Sequence, residues 1–125
     1  MTSYLFVGIG GALGAMARFG LGGLIGAPAS GFPLATFLIN VLGSLLMGVL
    51  VGVLVKLTPV WGPEARLFLA VGVLGGFTTF SSFSLEAVSL LEKGEIVLAL
   101  GYVAGSVVFG LAAFWAGMVA VRSFA

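Results

Sequence analysis

The chain has 125 residues, 61% of them hydrophobic and only 7% charged, with Lys+Arg 5 against Asp+Glu 4 and no histidine or cysteine. A mean hydropathy of +1.31 lies far outside the range of soluble domains and marks an integral membrane protein. The balanced charge leaves no basic patch for nucleic acid, and the missing His and Cys remove the usual transition-metal ligands and thiol chemistry.

Four hydrophobic blocks, about 4–25, 33–57, 64–91 and 96–121, each reach the ~20 residues a membrane-crossing helix needs. Residues 1–125 are therefore expected to form a single all-α, four-helix transmembrane domain. The first block follows Met1-Thr2-Ser3, which lacks the basic run of a cleaved signal peptide, and is expected to be mature structure. It pairs Gly10 with Gly14 at a spacing that lets helix backbones approach in lipid. Gly48 and Gly52, Gly101 and Gly105, and Ala113 and Gly117 repeat that spacing later, so close helix packing and self-association are expected.

Turn formers from Gly26 to Phe32 lead to Pro33, which can open a helix in its first turn. In the second block Thr36, Asn40 and Ser44 lie four residues apart and so share one helix face. A buried Asn amide needs partners in hydrocarbon. It either bonds a neighbouring helix or faces a polar path, and the stripe favours the path.

Past Thr58-Pro59-Val60-Trp61-Gly62-Pro63, the third block contains Gly75-Gly76-Phe77-Thr78-Thr79-Phe80-Ser81-Ser82-Phe83-Ser84-Leu85-Glu86. The glycines cost backbone entropy and the hydroxyls compete for backbone partners, so the third helix is expected to break near its middle. Backbone outside a ladder at membrane depth lines a cavity or holds an ion. Carbonyls freed there, with no carboxylate beside them, suit an alkali cation held by dipoles. Phe80 and Phe83 share a face, with positively polarised ring edges. Glu86 is the only carboxylate expected within or near a span, which makes it a functional candidate.

Glu92-Lys93-Gly94-Glu95 reads as a solvated turn. In the fourth block Tyr102 and Ser106 lie four apart and form a rail of hydroxyls, and Gly110, next on that face, supplies none. With four crossings, Lys56, Arg66 and Arg122 are expected on one side of the membrane, with Lys93 opposite, joined by Arg18 if it lies near the exit of the first helix. So small a bias permits insertion in both orientations and hence an antiparallel homodimer. With no His, Cys or Asp and no paired carboxylates in a span, the chain is not expected to be an enzyme.

Three stretches together resemble the Fluc family of fluoride channels, also called CrcB-type proteins: residues 10–19, Asn40 with Gly43 and Ser44, and residues 75–86. The resemblance covers essentially the whole chain. It implies a fluoride-selective channel that passively exports fluoride across the cytoplasmic (inner) membrane. It further implies a dual-topology, antiparallel homodimer with two pores and a structural sodium ion at its centre, and no organic cofactor. By similarity, the carbonyls of Gly75 and Thr78 would hold the sodium. Asn40, Phe80, Phe83, Tyr102 and Ser106, with Thr79, Ser81 and Ser84, would border the fluoride pathway. Arg18 would sit in an aqueous vestibule and Glu86 near a pore end. Gly110 departs from relatives that place a hydroxyl there. The alternative, a small dual-topology multidrug exporter, wants a carboxylate in the first helix, and Tyr4–Ile25 has none.

Overall fold

A computed structural model describes residues 1–124. Helix α1 spans Thr2–Ile25 and ends at Gly26, whose φ of 72° carries the chain out of the helix. Its N–H still reaches the Gly22 carbonyl at 3.0 Å. Helix α2 spans Leu34–Leu57. Pro33 stands at its N-cap with ψ 68°, one position outside the helix it was expected to open. Thr58 closes α2 in the left-handed region, at φ 40°, just before Pro59.

The third hydrophobic block spans Gly62–Glu92, long and apolar enough for one crossing. It is wound in segments: α3 (Gly62–Ala65), a π-helix, π1 (Arg66–Leu74), α4 (Gly75–Phe77) and α5 (Phe80–Glu92). Thr78 and Thr79 have extended backbone, with ψ 158° and 119°, and belong to neither flanking helix. A turn through Gly94 at φ 80° leads to α6, Ile96–Ser123. The four hydrophobic segments are each long and apolar enough to cross a membrane, and the described residues contain no strand.

Two pairs of parallel elements organise the packing, α2 against α6 and α1 against π1. Small residues permit both. A Cβ at Gly14 would overlap the Val73 carbonyl oxygen, and one at Gly10 the Phe68 carbonyl oxygen. A Cβ at Gly76 would lie 2.5 Å from the Gly11 carbonyl oxygen, so α4 also touches α1 backbone. In the other pair Gly48 meets the Phe114 carbonyl, and a Cβ at Gly117 would come within 2.6 Å of the Leu45 carbonyl oxygen. Such contacts are how helices gain packing energy where solvent supplies no hydrophobic drive. Gly101 differs from the other paired glycines, with nothing within 4 Å of its Cβ position. Lys56 donates to the Val121 carbonyl at 3.0 Å, which joins the ends of α2 and α6.

Candidate functional site

Extended backbone at Thr78 and Thr79 interrupts the ladder, and its polar groups must be paired elsewhere. Asn40 of α2 takes two of them. Its Oδ1 accepts from the Thr79 N–H at 2.9 Å, and its Nδ2 donates to the Thr79 carbonyl at 3.1 Å. The two bonds are those a neighbouring peptide would make, and they still leave one Nδ2 proton free. The bond to a neighbouring segment, one of the two readings open in sequence, is therefore made, and one amide proton remains for the other.

The threonines then set the two flanking helix ends. Thr78 sends both its N–H and its hydroxyl to the Leu74 carbonyl, each at 3.0 Å, and so terminates the first half. Thr79 Oγ1 accepts from the Ser82 N–H at 3.1 Å, the N-cap bond that starts α5. In a continuous helix the Thr79 N–H would return to the Gly75 carbonyl, but here it is committed to Asn40. Gly75 itself is exposed on the chain's own surface.

Beside this clamp lies an open cavity of about 330 Å³ bordered by Asn40, Ser44, Thr79, Phe80, Phe83 and Ser106. Five of these are residues for which the family resemblance implies a place on a pathway, and Ser44 belongs to the polar stripe on α2. The Phe80 and Phe83 rings stand 5.6 Å apart at 44° to one another. Phe80 is 79% exposed on the single chain. The buried Ser106 Oγ has no hydrogen-bond partner among the described residues, an arrangement costly in an apolar setting unless a ligand completes it.

Other candidates lie elsewhere. Tyr102 is fully buried, its ring against those of Phe32 and Phe83, and its hydroxyl donates to Glu86 Oε1 at 3.2 Å. A buried phenol needs such a partner, so the hydroxyl is engaged by Glu86 while Ser106 alone borders the cavity. Glu86 also borders a cavity of about 600 Å³ that reaches Phe32, Ser89 and Lys93. Ser84 returns its hydroxyl to the Phe80 carbonyl at 3.0 Å, and exposed Ser81 stands 3.3 Å from Thr79 Oγ1.

Arg18 donates from Nε to the Gly76 carbonyl at 3.2 Å. It borders a separate cavity of about 460 Å³, together with Thr36, Ser82 and Thr79. Thr79 borders this cavity as well as that of Phe80, so the Asn40 clamp holds the backbone that stands between them. Ser82 was not singled out in sequence; its position three residues after a Thr N-cap was the available signal. Phe32, which meets the Tyr102 ring edge-on at 5.5 Å, lies in a loop and offered no signal.

Residues 5–118 match the family described as CrcB-like protein, Camphor Resistance (CrcB). The chain is 52% identical to a fluoride-specific ion channel FluC of Novosphingobium aromaticivorans, over 100% of both sequences. It is also 52% identical to the FluC of Thermus thermophilus, over 89% of this chain and 88% of that protein. Similarity to the Paracoccus denitrificans FluC is 48%, over 96% and 94% respectively.

Proposed function

The chain belongs to the CrcB-like family, and on that footing we propose that it is a fluoride-selective channel of the cytoplasmic membrane that lets fluoride leave the cell passively. The observation that carries the reading is the cavity bordered by Asn40, Phe80, Phe83 and Ser106, beside which the buried Ser106 hydroxyl has no partner among the described residues. Fluoride is small and strongly hydrated. A path for it must exchange water for closely spaced donors without a fixed positive charge that would trap it. Asn40 Nδ2 has a proton to give, Ser106 has its hydroxyl, and the ring edges add weak positive potential. None of the residues bordering this cavity is charged.

Each half of the Thr78–Thr79 break then has its own task. Phe80 onward forms the anion-facing wall. Gly75 and Thr78 present carbonyls suited to a sodium ion, since the segment between them has neither carboxylate nor thiolate to favour a harder-charged or softer metal. Two carbonyls from one chain are too few for a cation, and a second, inverted copy would complete the set. Bound there, sodium would supply fixed positive charge that holds two Gly75–Thr78 segments together.

The same partner would cover exposed Phe80 and close the open cavity, which gives an antiparallel homodimer with two pores. Arg18 would draw anions toward the Thr79 side, and Glu86 with Tyr102 would stand near a pore end. The multidrug-exporter reading loses its support, because the family matched is a different one and α1 has no carboxylate.

Phe80→Ile keeps an apolar side chain of similar bulk but removes the ring edge. In liposomes, fluoride efflux through this variant should fall at least about tenfold, the scale of one lost favourable contact of ~1.4 kcal/mol in the barrier. Unchanged efflux would show that the ring has no part in permeation.

A further inference from the structure

Helices α2 and α6 run parallel in a constant register. Ser44 faces Gly110, Gly48 faces Phe114, and Gly52 faces Met118, each pair separated by the same sequence offset. Carried one turn back, that register sets Asn40 against Ser106, and one turn further it sets buried Thr36 against buried Tyr102. The interface is therefore a series of rungs one helical turn apart.

The first two rungs are polar on both sides. At the third, α6 offers only Gly110, but α2 offers Ser44. A Cβ built on Gly110 would lie 3.7 Å from Ser44 Oγ, an ordinary contact, so the hydroxyl occupies the position that a side chain at 110 would reach. At the next rung Phe114 meets Gly48 and the polar series stops. Ser44 and Phe114 both border the cavity that holds Asn40 and Ser106.

We infer that Ser44 is a third anion donor, and that the donor series crosses from α6 to α2 where Gly110 interrupts it. The inference rests on the fluoride-channel reading. An anion leaving the Ser106 and Asn40 rung needs another O–H or N–H within about one helical turn, because an unsolvated interval in an apolar path raises the barrier. Ser44 is the hydroxyl at that level.

The test is fluoride efflux from liposomes carrying wild type, Ser44→Ala, or Ser44→Ala with Gly110→Ser, each checked for wild-type elution on size exclusion. Ser44→Ala should slow efflux about tenfold, the effect of one hydrogen bond. Adding Gly110→Ser returns a hydroxyl to the same level from the opposite helix and should restore efflux to within about threefold of wild type. Loss of packing alone would not be repaired by a hydroxyl on the other helix. Wild-type efflux through Ser44→Ala, or no recovery in the double variant, would overturn the assignment while wild type remains fluoride-selective. Wild-type liposomes that pass chloride as fast as fluoride would overturn the channel reading and this inference together.

Discussion

Replacing Asn40 with Ala should reduce fluoride efflux from liposomes by about a hundredfold or more, the largest functional loss expected of any single substitution. Two effects combine. The Thr79 N–H and carbonyl lose their only side-chain partners, at about 1–3 kcal/mol for each group left unpaired. The free Nδ2 proton beside the cavity that Asn40 borders also disappears. Asn40→Asp is the milder change to the clamp. Its oxygens can still accept from the Thr79 N–H, but it cannot donate to the carbonyl, and its negative charge would repel an anion. Both variants should be nearly silent. Efflux within threefold of wild type in either would mean that Asn40 serves neither the backbone nor the ion.

The largest structural loss is expected from Gly14→Val. Any Cβ there overlaps the Val73 carbonyl oxygen and lies 2.8 Å from the Phe77 amide nitrogen, and both neighbours are backbone. No rotamer change can relieve the clash, so α1 must separate from π1 and α4 at a cost of about 3 kcal/mol or more. The purified protein should lose its monodisperse elution or melt at a distinctly lower temperature. Gly8→Ala is the control, because nothing lies within 4 Å of that Cβ position. Equal stability of the two variants would refute the close approach of α1 to π1.

These two residues also mark what could be read from the chain. The four spans followed from long apolar runs, and their ends shifted by at most two residues because Gly and Pro punctuate the loops. Gly10, Gly14, Gly48 and Gly117 met neighbouring backbone as their spacing implied, since small side chains in lipid have few other uses. Gly101 carries the same pattern without such a contact, and nothing in its spacing distinguished it.

The π-helical winding of Arg66–Leu74 left no trace in the sequence. It accompanies the fit of Gly72 against Gly10, and spacing within one segment does not encode such a tertiary demand. Thr78-Thr79 signalled weak helical continuity, but the identity of the outside partner depended on the packing of α2 against the third span. The pairing of Tyr102 with Glu86 was hidden for the same reason: their segments are adjacent, yet only the turn at Gly94 brings the two side chains together.

The central claim is that the Asn40, Phe80, Phe83 and Ser106 cavity belongs to a path that passes fluoride and rejects larger, less hydrated halides. Its most direct test is anion efflux from liposomes containing the purified wild-type protein, with fluoride and chloride measured by ion-selective electrodes in parallel. Rapid fluoride release, with chloride release no faster than from protein-free liposomes, is the predicted result. Equal release of both ions, or of neither, would contradict the account.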